Sequence, residues 1–173
     1  MTESSIRIRP AAEGDIDFVA GLSAIEFGAE TRFRHQALDE VESWRWRKSP
    51  TLVAKVNGDF AGFARCKPNE VQDPPHPRIE GQVAVLVQIA VLPEFRGLGI
   101  GTALATRAAK TLRMLGFSKV VAQFQPALAQ WYEAQGWTVL PVNHGHVWIE
   151  PHIQRDDNWY PDLPPRAFFA WLT

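Results

Sequence analysis

The stretch that decides the fold is "VLVQIAVLPEFRGLGIGTALATRAAKTL", residues 85–112. An apolar segment with the pattern of a buried strand runs into a turn that holds Arg96 and glycines at positions 97, 99 and 101. The apolar spacing of a helix follows at once. Glycine leaves the main chain bare, and the first N–H groups of a helix have no partner within that helix. The combination favours an anion that closely approaches backbone N–H groups at a helix N-terminus.

Two familiar phosphate-binding motifs do not match this turn. A dinucleotide fingerprint requires Gly-x-Gly-x-x-Gly, whereas residues 97–101 read Gly-x-Gly-x-Gly. A P-loop requires Gly-Lys followed by Ser or Thr, and that sequence is missing here. A plain flexible turn is the remaining alternative, but three glycines would cost conformational entropy that such a turn avoids.

Length and composition indicate one globular domain. The chain has 173 residues, of which 46% are hydrophobic and 21% are charged, as is usual for globular proteins. A net charge of −1 gives no reason to expect nucleic acid or an anionic membrane as a partner. The sequence has neither an apolar signal core nor a run long enough to span a membrane. Because its single cysteine, Cys66, cannot form an internal disulfide, a reducing cytoplasm is expected.

The order of predicted elements indicates an α+β fold. A strand over 5–9 precedes a helix that Asp15 caps, and a second helix is predicted over 36–46. Asn57-Gly58 between two apolar runs predicts a hairpin, and a Pro-rich loop follows over 68–78. The remaining elements are a strand over 81–91, a helix over 100–115, a strand over 119–124, a short helix over 126–135 and two final strands. We expect one domain over 1–150, with the aromatic and Pro-rich tail 151–173 docked on it.

This order, together with "RGLGIG" at 96–101, resembles the GNAT superfamily of acyl-CoA-dependent N-acyltransferases. The family signature is Arg or Gln, two residues, Gly, one residue, and Gly or Ala. A second family segment, an aromatic residue, Tyr, three residues, Gly and an aromatic residue, is similar to "WYEAQGW" at 131–137. The resemblance implies a mixed central sheet of about seven strands flanked by about four helices, splayed at the strand that binds coenzyme A.

The resemblance also implies where acetyl-CoA, the expected co-substrate, is held. The pantetheine arm would pair with the main chain of Ile89, Ala90 and Val91, in the manner of a missing strand. Gln125 stands where the family often has an Asn that contacts this arm. Arg96 opens the pyrophosphate loop, whose N–H groups come from Gly97, Leu98, Gly99, Ile100, Gly101 and Thr102. No metal is expected, because His144 and His146 are too few ligands for zinc.

Acyl transfer from a thioester to an amine makes two demands on protons. The amine must lose a proton before it attacks, and the leaving thiolate departs more readily when it is protonated. The resemblance implies Tyr132 as the acid that protonates the thiolate; packing of the short helix is the alternative role. The usual positions of a family base look like Val85 and Val87, which cannot accept a proton. Gln88 can hold a water molecule, and the candidate bases are Glu80, Glu26, His35 or water.

The function that these residues imply is transfer of an acetyl group from acetyl-CoA to a primary amine by direct attack. The acceptor is a small molecule or a peptide, and a homodimer fits the habit of the family. Two alternatives stay open. One is a CoA-binding sensor or partner module without turnover, and the other is transfer of a longer acyl group.

Overall fold

The computed structural model describes residues 5–28, 49–68, 83–117, 119–139, 144–149, 152–159 and 168–172. The chain forms two compact units, of which the first comprises 1–68 and 86–115 and the second 69–85 and 116–173. The helix predicted over 36–46, nearly all of the Pro-rich loop, and the candidate bases His35 and Glu80 lie outside the described residues.

Among its described residues, the first unit has four strands that follow one another in the sheet in chain order. They are β1 (Ile6–Pro10), β2 (Thr51–Val56), β3 (Asp59–Pro68) and β4 (Val83–Val91), of which residues 86–91 belong to this unit. The pairs β1–β2 and β2–β3 are antiparallel. Asn57 and Gly58, with φ of 52° and 101°, form the two-residue turn between β2 and β3, so the hairpin prediction is confirmed.

In the described part of the first unit, two helices cover the sheet, α1 (Ile16–Phe27) and α2 (Ile100–Met114). The buried side chains of α1 pack against β2, β3 and β4 in one cluster, which consists of Ala11, Ile16, Val19, Leu22, Val53, Phe63 and Ala90. Helix α2 contacts β1, β2 and β3 and buries the stripe that contains Leu104, Ala108 and Leu112. Side chains alternate along a strand, and Val53 faces α1. The buried Leu52 and Ala54 therefore face the opposite side, which places α2 there.

Asp15 lies at the N-cap of α1, as predicted, but its carboxylate does not cap the helix. Oδ2 and Oδ1 instead accept hydrogen bonds from the Arg9 guanidinium at 2.5 and 2.8 Å, and the Ala12 N–H donates to Oδ2 at 2.7 Å. Burial raises the pKa of Asp15, but the hydrogen bonds from Arg9 and Ala12 and the nearby positive charge outweigh it and hold the pKa below its usual value. The end of β1 therefore anchors the start of α1.

We expect Asp15→Asn to lower the free energy of unfolding by about 1–3 kcal/mol at pH 7, because the charged pair between the buried Asp15 and the half-buried Arg9 is lost. A depressed pKa stabilises the fold above the pKa of the unfolded state, near 4, and this contribution disappears as pH falls through the lower folded pKa. Urea unfolding of both proteins between pH 7 and pH 3 should therefore show the difference narrowing below about pH 4. A difference that stays constant over this range would contradict the assignment.

In its described residues, the second unit contributes three adjacent strands to a sheet, and it also has a separate hairpin. Strand β9 (Phe168–Leu172) lies antiparallel between β5 (Lys119–Phe124) and β6 (Thr138–Val139). Strands β7 (His144–Ile149) and β8 (His152–Trp159) pair with each other. Helix α3 (Ala129–Ala134) follows a 3₁₀ turn over Pro126–Leu128, so the helix predicted from 126 begins as a tighter turn. The α+β class is confirmed, and no helix in the described ranges is long and apolar enough to cross a membrane.

Candidate functional site

The loop between β4 and α2 has the open backbone that its glycines indicate. It contains a 3₁₀ turn over Pro93–Phe95, and α2 begins directly after Gly99. Gly97 and Gly99 have φ of 77° and 76°, a region in which a side chain is strained. A Cβ atom added to either glycine would have no neighbouring atom within 4 Å. The backbone conformation therefore favours glycine here, and the space beside both residues is open.

The start of α2 carries N–H groups that its own helix does not use. The first hydrogen bond of the helix joins the Ala103 N–H to the Gly99 carbonyl at 3.0 Å, so the N–H groups of Ile100, Gly101 and Thr102 precede the helical ladder. The first turn of α2 contains no acidic residue. The helix dipole adds a partial positive charge at this end. The geometry suits a phosphate group.

The main chain of β4 divides its polar groups between two edges. The Leu92 N–H donates to the Ala61 carbonyl in β3 at 2.9 Å, and a Cβ on Gly62 would lie 2.5 Å from the Ala90 carbonyl oxygen. Gly62 is therefore the residue that lets β3 approach β4 this closely. Main-chain groups alternate in direction along a strand, so those of Ala90 face β3. Those of Ile89 and Val91 face the other edge.

Arg96 fixes the beginning of the loop through two hydrogen bonds. Its Nε donates to the Val91 carbonyl at 2.9 Å, and its Nη2 donates to Glu26 Oε1 at 2.6 Å. Glu26 lies in the last turn of α1. Because 51% of the Arg96 side chain is exposed, the ion pair contributes less than about 1 kcal/mol to stability, and its role is geometric. The Glu26 carboxylate, one of the candidate bases, thus already accepts a hydrogen bond from the Arg96 guanidinium.

Tyr132 lies in α3 within a group of aromatic rings in the second unit. Its ring stacks on Phe124 with centroids 4.1 Å apart, and it meets Trp131 and Trp137 edge-on at 4.9 and 5.1 Å. The side chain is buried, so these contacts fix the position of the ring. Gln125, directly after β5, is exposed, and its carbonyl accepts the Leu128 N–H at 2.9 Å.

A polar cluster of Ser23, Arg65 and Gln88 joins α1, β3 and β4. Ser23 Oγ donates to Gln88 Oε1 at 3.1 Å, and Arg65 Nη1 donates to the same oxygen at 2.9 Å. The sequence predicted Gln88 as a residue that can hold water, but it did not connect Gln88 with the other two. The available signal was a single polar residue within each of the otherwise apolar stretches 18–25, 60–66 and 83–91.

The described residues bear on two other chemistries, attack by a cysteine thiolate and binding of a metal ion. Cys66 is buried, and burial raises the pKa of its thiol to about 12, so it is a poor nucleophile at neutral pH. Within the described ranges, no group of three His, Cys, Asp or Glu residues could hold a metal ion.

Val85 and Val87, the positions at which the family often has a base, lie on the face of β4 opposite Gln88, since side chains alternate along a strand.

Residues 21–137 match the model of the acetyltransferase (GNAT) family. An uncharacterized N-acetyltransferase described as ycf52-like, from Prochlorococcus marinus, is 31% identical over 96 residues, which are 56% of this chain. The matched part of the chain spans less than half, 45%, of the length of that relative.

Solved structures share the fold. The Salmonella typhimurium protein yncA, solved with its cofactor acetyl-CoA, has a TM-score of 0.70 at 20% identity, and the match covers 98% of this chain and 94% of yncA. Arabidopsis thaliana Naa50, solved with the bisubstrate analogue CoA-Ac-MVNAL, has a TM-score of 0.65 at 14% identity, with 98% and 99% covered. The family model spans well over half of the sequence and includes the loop between β4 and α2. The chain therefore belongs to the acetyltransferase (GNAT) family.

Proposed function

We propose that this protein transfers an acetyl group from acetyl-CoA to a primary amine. The observation that carries the proposal is the open loop between β4 and α2, where two left-handed glycines precede N–H groups that the helix does not use. A diphosphate is the ligand that such a loop suits best. Membership of the GNAT family makes coenzyme A the diphosphate to test first.

The proposed donor site follows the main chain of the first unit. The pyrophosphate accepts hydrogen bonds from N–H groups of residues 97–102, and the Thr102 hydroxyl is placed to join them. The pantetheine arm pairs with Ile89 and Val91, whose main-chain groups face away from β3, as an added strand would. Ala90, between these two residues, has main-chain groups that face β3, and its side chain packs toward α1. From the family resemblance, Gln125 is proposed to contact coenzyme A through its amide.

The proposed reaction needs no covalent enzyme intermediate. The neutral amine attacks the thioester carbonyl carbon, a C–N bond forms, and a main-chain N–H stabilises the oxyanion. The C–S bond then breaks, and the Tyr132 hydroxyl gives its proton to the thiolate. The ammonium of the acceptor loses its first proton to Glu80, His35 or water before the attack. The second proton, which the nitrogen loses when the amide forms, passes to solvent, and the Tyr132 phenolate regains a proton from solvent. The high pKa of Cys66 agrees with direct attack, because a thiol acyl carrier would need a thiolate.

The acceptor is proposed to be the amine of a small molecule or a peptide. The ligand of Naa50 combines CoA with the sequence MVNAL, so this fold accommodates a peptide next to CoA in that protein. A second candidate is a CoA-binding module without turnover, and the valines at positions 85 and 87 favour it. Transfer of a longer acyl group is a variant of the first candidate.

The decisive experiment measures thiol release from acetyl-CoA in the presence of a panel of primary amines, with the acetylated product identified by mass. Amine-dependent release supports the enzyme. Binding of acetyl-CoA without release from any amine supports the module without turnover. If folded protein binds none of acetyl-CoA, CoA and succinyl-CoA, both proposals are wrong.

A further inference from the structure

The amide of Gln88 has a fixed orientation. A guanidinium donates hydrogen bonds and cannot accept them, so the Gln88 atom that lies 2.9 Å from Arg65 Nη1 must be the oxygen. Ser23 donates to the same oxygen at 3.1 Å. With Oε1 held by two donors, the amide nitrogen and its two N–H groups must point away from them.

Burial shows which member of the cluster can meet a ligand. Ser23 is fully buried and Arg65 is 5% exposed, whereas Gln88 is half-buried. Among the residues that the structure describes, the Gln88 amide nitrogen makes no hydrogen bond. Burying the Arg65 guanidinium costs desolvation free energy, which an apolar side chain at this position would not cost. The arrangement thus holds one pair of N–H donors in a defined direction.

We propose that Gln88 binds an oxygen atom of the acceptor, so that the enzyme prefers amines with a neighbouring carbonyl group over plain alkyl amines. This inference rests on the proposed acetyl transfer. An ammonium offers only donors, so the Gln88 N–H groups cannot recognise the reacting nitrogen itself. A carbonyl oxygen beside that nitrogen is a suitable partner. Gln88 directly precedes Ile89, the first residue proposed to pair with the pantetheine arm. Its side chain lies on the face of β4 that α1 covers, because it bonds Ser23 of that helix, and the proposal places the acceptor on this face. The favoured class is α-amino amides and peptide N-termini.

The test compares matched amines that differ only in the carboxamide group. Alaninamide is paired with ethylamine and phenylalaninamide with 2-phenylethylamine, and kcat/KM is measured for each with acetyl-CoA. Gln88→Glu keeps oxygens toward Ser23 and Arg65 but removes the N–H donors. The preference for the amide-bearing amine should fall about 10-fold in this variant, with KM for acetyl-CoA unchanged. The different reactivities of the two amines cancel when the variants are compared.

Two further variants keep the test decisive. Gln88→Leu removes the amide without adding a charge and should lower the same preference if Gln88→Glu does not fold. Ser23→Ala removes one of the donors that orient the amide and should reduce the preference by a smaller factor. A preference equal in wild type and both Gln88 variants would overturn the inference and leave the proposed function intact. No thiol release by wild type with any amine would overturn both.

Discussion

Gly99→Glu is expected to abolish measurable binding of acetyl-CoA while the protein stays folded. The substitution places a carboxylate beside the N–H groups of Ile100, Gly101 and Thr102, where the pyrophosphate is proposed to lie. Like charges repel there, and the side chain fills the open space next to the loop. We expect the dissociation constant to rise at least about 100-fold, which is about 2.7 kcal/mol. A calorimetric titration with acetyl-CoA measures the effect.

Gly116 offers a matched control for the strain that any side chain would cause. Its φ is 91°, and a Cβ there would also meet nothing within 4 Å, but it follows the opposite end of α2. Gly116→Glu therefore adds the same charge and comparable backbone strain far from the loop. It should lose stability and keep affinity for acetyl-CoA. Equal loss of affinity in both variants would assign the effect to strain, and normal binding by Gly99→Glu would contradict the donor site.

The loop could be predicted from the sequence because its determinants are contiguous. The glycines at 97 and 99, the apolar strand before them and the apolar stripe after them all lie within residues 85–112. The helix predicted over 100–115 is observed over Ile100–Met114. Local periodicity and backbone conformation depend on near neighbours, so they are the part of a fold that a single sequence expresses directly.

Contacts between distant residues could not be predicted in this way. The Ser23–Gln88 and Glu26–Arg96 hydrogen bonds join residues 65 and 70 positions apart. Each depends on how α1 packs on the sheet, which periodicity does not specify. The same limit explains why the role predicted for the Asp15 side chain was wrong. Its position before α1 predicted a helix cap, but its carboxylate bonds Arg9. It also explains β9, whose place between β5 and β6 is set by long-range pairing.

Tyr132→Phe is expected to lower kcat about 100-fold while KM for acetyl-CoA stays nearly unchanged. The substitution removes only the hydroxyl, because a phenylalanine ring can keep the stacking on Phe124 and the edge contacts with Trp131 and Trp137. Without the hydroxyl, the leaving thiolate must take its proton from water. Steady-state rates of thiol release, measured with a saturating amine, report the change.

The alternative role of Tyr132, packing of α3, predicts a different pattern. Trp137→Phe weakens the same aromatic group but leaves the Tyr132 hydroxyl in place. It should lower the free energy of unfolding by about 1–3 kcal/mol and keep most of kcat. If Tyr132→Phe instead lost stability and kept kcat, the hydroxyl would serve only the fold and water would protonate the thiolate. If kcat falls in Tyr132→Phe but not in Trp137→Phe, a change in packing does not explain the loss. The Tyr132 hydroxyl is then the group that protonates the leaving thiolate.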